Sequence, residues 1–331
     1  MRLPAAIDRA LDWTVVPGFS KLGYALRRGA WSDADSAAAG RDVVVTGGSS
    51  GLGEAACEQL ALSGARVHMV VRNVDKGEDV KAAISERTGG ELRVWRCDLS
   101  DLDSIREFCA GFAEAVPELG ALVHNAGAMP GEREQSPQGF ELGFATNVLG
   151  PFLMTGELLP VLRAGVPARV ITVSSGGMYT AGLDVDDLEL KNRDYDPQRF
   201  YAHTKRCEVI LSELWAERLA GSGIGFHSMH PGWAATPGLE SSMPGFFKLT
   251  KPLLRSSAEG ADTISWLVSA SEPGSSSGLF WHDRAPRPTH RSAKTRESDA
   301  DRERLWRECE RLTGWSLGGE REAGANGDAR G

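Results

Sequence analysis

The sequence is poor in cysteine and has no long apolar segment. Its 331 residues include only five cysteines, at positions 57, 97, 109, 207 and 309, and none belongs to a CxxC pair. An odd number of dispersed cysteines is not typical of a disulfide framework, so we expect free thiols and a cytoplasmic protein. No run of 18 uncharged apolar residues occurs, and the sequence therefore predicts no membrane-spanning helix.

An excess of basic residues is also missing. The chain has 37 Lys and Arg against 45 Asp and Glu, which gives a formal net charge of −8. Nucleic-acid binding depends on clustered basic side chains, so this balance excludes nucleic acid as the main partner. His227 and His230 lie at odd spacing on a predicted strand, where they would point to opposite faces of the sheet. We therefore predict no metal site.

From residue 41 onward, short apolar runs alternate with amphipathic stretches. Strands are predicted over residues 42–46, 66–71, 91–96, 121–124, 169–174 and 224–230, with a last short strand near 279–281. Helices are predicted over residues 51–63, 74–86, 102–115, 139–163 and 201–220. Strands that are apolar throughout and alternate with helices are typical of an α/β fold, in which a doubly wound parallel sheet carries helices on both faces.

The chain divides into four predicted segments. An N-terminal helical extension (1–40) precedes the α/β domain (41–285), in which no linker is evident. A C-terminal extension (286–317) contains one predicted helix over residues 299–312. The tail, 318–331, lacks large apolar side chains, and we expect it to be disordered.

The N-terminal extension carries apolar residues at helical spacing: Leu3, Ile7, Leu11 and Val15. This pattern predicts one or two short amphipathic helices. They could form a clasp that packs on the domain. The alternative is a contact with a membrane surface or with another subunit.

A glycine-rich loop joins the first predicted strand to the first helix of the α/β domain. Such a loop brings backbone N–H groups and a helix N-terminus close to a pyrophosphate, whereas a simple structural turn is the alternative. The position directly after a strand favours the first interpretation. The predicted cofactor-binding residues of the loop are Thr46, Gly47, Ser49, Ser50, Gly51, Leu52 and Gly53.

The end of the second strand bears on the type of nucleotide. An acidic residue there would bind a ribose 2′-hydroxyl, but Arg72 occupies the position and can pair with a 2′-phosphate. We therefore favour NADP(H) over NAD(H), although Asp75 follows closely and Arg72 could be a solvated surface residue. Further predicted cofactor contacts follow the third and fourth strands: Asp98, Leu99, Asn125, Ala126 and Gly127.

Tyr201 and Lys205 are four residues apart, so they share one face of a predicted helix. A phenol is a poor proton donor or acceptor at neutral pH, and a neighbouring ammonium favours its ionised form. A solvated surface pair is the alternative. Ser175 follows the fifth strand and could bind a substrate oxygen or cap a turn. Asn147 lies within a predicted helix, where asparagine is unfavourable, so it could serve an internal network or a bound water.

In combination, the TGxxxGxG loop, HNAG at 124–127, Asn147, Ser175 and YxxxK at 201–205 resemble the short-chain dehydrogenase/reductase superfamily over residues 41–285. The resemblance implies a Rossmann-like sheet of about seven strands. It implies that Pro231 and Gly232 flank a nicotinamide and that Thr236 reaches the carboxamide or the phosphates. His124 departs from the usual NNAG motif.

The same resemblance implies catalytic roles. Tyr201 would be the acid/base, Lys205 its partner and a cofactor ligand, Ser175 the residue that orients the substrate, and Asn147 the holder of a relay water. The long segment between Ser175 and Tyr201 resembles the branch that includes retinol dehydrogenases. In relatives, the helices holding Asn147 and Tyr201 often pair across a dimer, so a homo-oligomer is possible.

We therefore expect hydride transfer between NADP(H) and a carbonyl or alcohol. The segment 232–255, called the lid below, is rich in apolar residues, which predicts a lipophilic substrate. The alternatives are a nicotinamide-binding scaffold without turnover, since a fold does not fix a function, and an epimerase or dehydratase.

Overall fold

The computed structural model describes residues 4–31 and 38–319, and a twisted sheet lies at its centre. The described strands are β1 (Asp42–Thr46), β2 (Arg66–Val71), β3 (Leu92–Arg96), β4 (Ala121–His124), β5 (Ala168–Val173), β6 (Ile224–Met229), β7 (Leu279–His282) and β8 (Ala285–Arg287). Their order in the sheet is β3-β2-β1-β4-β5-β6-β7-β8. The first seven strands are parallel to one another, which confirms the predicted doubly wound sheet.

The strand β8 was not predicted. It pairs antiparallel with β7 through a two-residue turn at Asp283 and Arg284, whose φ angles are +52° and +55°. Positive φ at both central residues is the geometry of a type I′ hairpin turn. A three-residue strand that contains proline carries no alternating pattern, so no local signal for it is present in the sequence.

Fourteen α-helices lie in the described residues: α1 (Ala5–Trp13), α2 (Val15–Phe19), α3 (Lys21–Arg28), α4 (Gly51–Leu62), α5 (Val74–Thr88), α6 (Leu102–Ala115), α7 (Leu142–Phe144), α8 (Gly150–Glu157), α9 (Leu159–Ala164), α10 (Pro197–Arg218), α11 (Pro237–Ser242), α12 (Pro244–Thr250), α13 (Ser257–Ser269) and α14 (Asp299–Thr313). Successive side chains along a strand point to opposite faces of the sheet and pack into two separate hydrophobic cores. Val44 packs in the core that contains α6, α8 and α10, whereas Val43 and Val45 pack in the core that contains α4 and α13. Helices thus cover both faces of the sheet.

Helix α13, which connects β6 to β7, was missed by the sequence analysis. Ser256 and Glu259 form a capping box at its start, and this S-x-x-E pattern was an available signal. The lid helices α11 and α12 were also not predicted as helices. They are only six and seven residues long, which is too short for a periodic pattern to stand out.

The predicted helix over residues 139–163 is interrupted. Helix α7 continues into a π-helical turn, Ala145–Leu149, and then into α8. Asn147 lies within this turn and is fully buried. Single π-helical turns inside α-helices frequently occur at functional sites.

The N-terminal extension forms three short helices, not one or two as predicted. Phe19, Tyr24 and Arg27 are buried against the domain, so the clasp interpretation is confirmed for this face. The opposite side exposes large apolar side chains: Ile7, Trp13, Val15, Val16, Leu22 and Leu26. Residues 32–37 of the extension and 320–331 of the predicted tail lie outside the described part of the chain.

The predicted C-terminal helix is present as α14. Trp306 on this helix packs against Phe152 of α8 and Trp215 of α10, with ring centroids 5.0 and 4.7 Å apart. The outer faces of α8 and α10 are therefore partly covered by the chain itself. Within residues 4–31 and 38–319, no helix has the length and hydrophobicity to cross a bilayer, and no cluster of His, Cys, Asp or Glu could hold a metal. All five cysteines are buried free thiols.

Candidate active site

A cleft of about 490 Å³ opens at the carboxyl ends of β1, β2 and β4. It brings together most of the predicted cofactor residues: Gly47, Ser49, Ser50, Gly51, Leu52, Arg72, Asp98, Leu99, Asn125, Ala126, Gly127 and Thr236. This is the position in which open α/β sheets bind ligands. The predicted residues therefore meet at one edge of the sheet although they come from five separate segments of the chain.

Two residues of the predicted loop support the cleft and do not line it. The Thr46 hydroxyl accepts hydrogen bonds from the backbone N–H groups of Asn125 and Ala126, each at 3.0 Å. A Cβ atom at Gly53 would overlap the Gly47 carbonyl oxygen. The first turn of α4 can therefore approach the loop closely only because residue 53 is glycine. Gly47 itself has a φ of +68°, which glycine adopts without strain.

These features fit a dinucleotide. The lining residues Gly51 and Leu52 form the first turn of α4, a twelve-residue helix, so the partial positive charge of the helix N-terminus faces the cleft. At the β2 end, the exposed side chains of Arg72 and Lys76 both line the cleft. Lys76 was not predicted as a cofactor contact. Its position in the first turn of α5, just after the end of β2, was the available signal. Asp75 does not line the cleft.

A second cleft, of about 470 Å³, adjoins the first and shares Leu52, Asn125, Gly127 and Thr236 with it. The predicted Ser175, Tyr201, Lys205, Pro231 and Gly232 all line this cleft. On its lid side it is lined by Trp233, Leu239, Met243 and Phe246. Two other apolar lid residues do not line the cleft, because Leu249 is 82% exposed and Leu254 is buried.

Lys205 is fully buried beneath Tyr201. Its ammonium lies 5.4 Å from the centroid of the Tyr201 ring. It donates hydrogen bonds to the Val173 carbonyl oxygen at 3.0 Å and to the Glu208 carboxylate at 2.7 Å. Burial alone would lower the pKa of Lys205, but the charge and hydrogen bond of Glu208, together with Tyr201, outweigh it and raise the pKa. The side chain thus stays an ammonium within the protein.

Glu208 was missed by the sequence analysis. Its i+3 position relative to Lys205 places both on one helix face, and that spacing was the available signal. Burial raises the pKa of Glu208 to about 7, although the neighbouring ammonium opposes the shift. The second carboxylate oxygen has no hydrogen-bond partner in the described part of the chain.

A small cavity of about 20 Å³ lies behind the Lys205–Glu208 pair, and only buried residues line it. The polar lining residues are Glu208, His124, Asn147, Thr155, Thr172 and Ser212. His124 Nε2 and Thr155 Oγ1 are 2.8 Å apart. Burial lowers the pKa of His124 to about 3, so its imidazole is neutral. A space of this size and polarity is sufficient for one water molecule.

Asn147 takes part in an internal hydrogen-bond network, which is one of its two predicted roles. Its amide oxygen accepts a hydrogen bond from Ala128 N at 2.7 Å, and its amide nitrogen donates to Ala128 O at 2.9 Å. The same nitrogen donates to the Thr204 hydroxyl, also at 2.9 Å. Asn147 therefore locks the segment after β4 onto α10, next to Tyr201 and Lys205. Its side chain lines neither of the two large clefts.

The two serines after β5 have different environments. The buried Ser174 hydroxyl donates to the Lys205 carbonyl oxygen at 2.7 Å, which fixes α10 against the sheet. Ser175 is half-buried, lines the second cleft, and accepts a hydrogen bond from Gly177 N at 3.2 Å. Its hydroxyl thus caps a turn and is also available to a bound molecule.

Comparison with known proteins agrees with this geometry. Residues 41–185 match the short chain dehydrogenase family. Dehydrogenase/reductase SDR family member 12 of Bos taurus is 42% identical over 269 residues, which cover 80% of this chain and 84% of that protein. Retinol dehydrogenase 12 of Homo sapiens is 34% identical over 277 residues, 82% of this chain and 86% of that protein.

The structure is similar to the crystal structure of an uncharacterised protein from Mycobacterium paratuberculosis. That comparison has a TM-score of 0.69 at 30% identity and covers 86% of this chain and 98% of the other. Fold, clefts and sequence similarity therefore agree. The chain belongs to the short-chain dehydrogenase/reductase family, and it is an NAD(P)-dependent enzyme that acts on CH–OH or C=O groups.

Proposed function

We propose that this enzyme interconverts a lipophilic carbonyl compound and its alcohol with NADP(H), with Tyr201 as the acid/base. One observation carries the proposal: Tyr201 and the buried ammonium of Lys205 line a cleft that opens directly into the dinucleotide cleft. Substrate and cofactor could thus meet beside a single proton-exchanging side chain.

Each residue of this group has a distinct task. The Tyr201 hydroxyl gives a proton to the substrate oxygen in reduction and takes it back in oxidation. Lys205 holds a positive charge beside the phenol ring, and Ser175 donates a hydrogen bond to the same substrate oxygen. Asn147 holds the backbone of Ala128 and, with the nearby cavity, offers a place for a relay water. A bound nicotinamide supplies or accepts the hydride.

The preference for NADP(H) rests on Arg72 and Lys76. Both side chains are exposed and line the dinucleotide cleft near the end of β2. Two cations at this position favour a 2′-phosphate. The residues that line the cleft there, Arg72, Asn73 and Lys76, include no carboxylate that would bind a 2′-hydroxyl. Both nicotinamide cofactors share the remaining contacts.

The lipophilic substrate is supported by the lid. Trp233, Leu239, Met243 and Phe246 form an apolar wall opposite the Tyr201 side of the cleft, which favours a ligand with little polar surface. Retinol, named in the relative retinol dehydrogenase 12, is an alcohol of this kind. We extend from that relative only the chemical class of the substrate.

We also propose a cytoplasmic location, in keeping with the five free thiols. The exposed apolar side of α1 to α3 supports a peripheral contact with a membrane or another subunit. Self-association through α8 and α10 would have to displace α14. Any homo-oligomer that leaves α14 in place therefore uses another surface.

The test is a titration of the purified protein with NADPH and NADH, followed by turnover assays with long-chain aldehydes and ketones. Conversion of Tyr201→Phe should lower kcat by about 100-fold or more and leave the Kd for NADPH within about twofold, since the phenol oxygen is not required to hold the phosphates. Tyr195→Phe is the control, because this hydroxyl only donates to the Pro130 carbonyl oxygen.

The outcomes separate the alternatives. Binding of NADPH without oxidation by any carbonyl would favour a non-catalytic scaffold. A change in substrate configuration or loss of water without net cofactor oxidation would favour an epimerase or dehydratase. Undiminished turnover in Tyr201→Phe would disprove the role of this side chain.

A further inference from the structure

The two ends of the lid lie side by side. Arg255 N donates to the Trp233 carbonyl oxygen at 2.7 Å, and Ala235 N donates to the Arg255 carbonyl oxygen at 2.8 Å. Ala234 and Arg255 form a short parallel bridge. The segments that lead into α11 and out of α12 therefore lie next to each other. We call these two segments, residues 232–235 and 255, the neck.

Three consecutive residues of the N-terminal extension, 18–20, run across this neck, and we call them the strap. The Phe19 carbonyl oxygen accepts a hydrogen bond from Trp233 N at 2.8 Å. The carbonyl oxygens of Gly18 and Ser20 accept from the Arg255 guanidinium at 3.1 and 3.2 Å. Each strap carbonyl is thus used to hold one end of the lid.

A buried carboxylate fixes the strap and the neck to the sheet. Asp283, in the turn between β7 and β8, accepts hydrogen bonds from Arg255 at 2.6 and 2.9 Å and from Arg27 at 2.7 Å. Arg27 also donates to the Gly18 carbonyl oxygen at 3.1 Å. Since all three charged side chains are almost fully buried, these bonds are not weakened by exchange with water.

The Phe19 ring touches two walls of the substrate cleft. Its edge faces the Trp233 ring at a centroid distance of 6.3 Å. On the other side it packs so closely on Gly176 that a Cβ atom there would lie 2.7 Å from the ring. Gly176 follows Ser175, and both Ser175 and Trp233 line the cleft. The Phe19 side chain thus supports both the turn that carries Ser175 and the part of the neck that contains Trp233.

We propose that the strap is a positioning element of the substrate site: residues 18–20, with Arg27 as their anchor, set the lid against the Ser175 turn. Phe19 acts through Trp233 and Ser175 and does not itself line the cleft. The extension is therefore part of the machinery that selects and holds the substrate. The inference rests on the proposed function for the identity of that substrate, but the mechanical link stands on the contacts alone.

The experiment compares full-length Phe19→Ala and Phe19→Leu with Leu26→Ala, an exposed position in the same extension. Amide hydrogen exchange is measured over residues 237–250 and, as a reference, over α4 and α5. The Kd for NADPH, and KM and kcat for a carbonyl that the wild type reduces, are measured with the same preparations. Phe19→Leu keeps most of the apolar volume of the side chain. It therefore provides a folded variant for the comparison if Phe19→Ala fails to fold.

We expect Phe19→Ala to speed exchange selectively in 237–250 and to raise KM about tenfold, because a loosened lid holds the substrate less well. The Kd for NADPH should stay within about twofold, since the strap lies outside the dinucleotide cleft. Phe19→Leu should lie between the wild type and Phe19→Ala, and Leu26→Ala should match the wild type.

Two results would overturn the proposal. One is unchanged lid exchange and KM in the Phe19 variants. The other is exchange that rises equally in the lid, α4 and α5, which would mean a general loss of stability. If the wild type reduces no carbonyl, the proposed function fails, whereas the exchange measurement still decides whether the strap holds the lid.

Discussion

The Lys205 ammonium lies 2.7 Å from the Glu208 carboxylate, and both side chains are almost completely buried. The pair occupies one face of α10, directly behind Tyr201. Burial acts on both groups, yet the charge of Glu208 raises the pKa of Lys205. Lys205, the proposed partner of Tyr201, is thus kept charged by its own counter-ion within the helix.

Replacement of this counter-ion, Glu208→Gln, should change how the stability of the protein depends on pH. Burial raises the pKa of Glu208 to about 7, from 4.5. A carboxyl whose folded pKa is raised loses stabilising free energy as pH rises through that value, whereas glutamine does not titrate. Between pH 6 and pH 8.5 the unfolding free energy of the wild type should therefore fall by about 1.4 kcal/mol relative to that of the variant.

Urea unfolding at both pH values checks this difference. Glu78→Gln is the matched control, because Glu78 pairs with Lys81 at the same i,i+3 spacing on the surface, where ion pairs contribute little. A stability difference between wild type and variant that is the same at pH 6 and pH 8.5 would contradict the raised pKa of Glu208.

Conversion of Arg72→Ala should weaken NADPH binding about tenfold and leave NADH binding nearly unchanged, since only NADPH presents a 2′-phosphate. The Kd values for both cofactors, measured by fluorescence titration at fixed salt, give the answer. Arg93→Ala is the control because Arg93 is an exposed arginine that pairs with Glu91. Equal losses for NADPH and NADH would remove the argument for phosphate recognition by Arg72.

Acid should destabilise the protein from about pH 6.5 downward. Burial lowers the pKa of His124 to about 3 and those of His203 and His227 to about 4. These histidines bind protons in the unfolded state but not in the folded state. Each therefore removes about 1.4 kcal/mol of stability per pH unit between pH 6.5 and its folded pKa.

The variant His124→Asn isolates one of these contributions. The difference in unfolding free energy between pH 7.5 and pH 5.5 should be smaller in the variant by about 1.4 kcal/mol. Urea midpoints at the two pH values measure it. His124→Asn also keeps a polar group that can reach the Thr155 hydroxyl. An unchanged pH dependence would show that His124 binds its proton as readily in the folded state as in the unfolded state.

Trp306→Ala should expose the aromatic surface formed by Phe152 and Trp215. Loss of a buried tryptophan costs about 3–5 kcal/mol, and exposed apolar surface promotes association. We expect a lower unfolding midpoint and a concentration-dependent increase in mass by sedimentation. Arg307→Ala, on the exposed side of α14, should behave as the wild type. A stable variant of unchanged mass would show that α14 does not protect this face.

Much of the α/β architecture is determined locally by the sequence. Strands β2 and β4 coincide with their predicted limits, because short runs of apolar, β-branched residues specify both the conformation and burial on two faces. The pairing of Tyr201 with Lys205 also follows from the sequence, since four residues along a helix bring side chains to one face. The glycine loop is determined by dihedral preference at Gly47.

The elements that the sequence analysis missed carry weaker local signals. Apart from its capping box, helix α13 begins with Ser and Ala and includes a glycine, and strand β8 is three residues long. Helix α13 is the crossover that connects the parallel strands β6 and β7, and β8 pairs with the free edge of β7. Leu249 and Leu254 show the same limit, since two leucines five positions apart differ in burial, one being 82% exposed and the other 6%.

Only the tertiary structure decided which distant groups meet. Asn147 finds Thr204 across 57 residues, and Arg27 finds Asp283 across 256 residues. No periodicity or dihedral preference encodes such a pairing, because it depends on how all the intervening elements pack. The sequence by itself thus determined the sheet, the cofactor loop and the tyrosine–lysine pair. The tertiary structure decided the support of Asn147 and the attachment of the lid to the N-terminal strap, because these depend on close contacts between segments that are far apart in the chain.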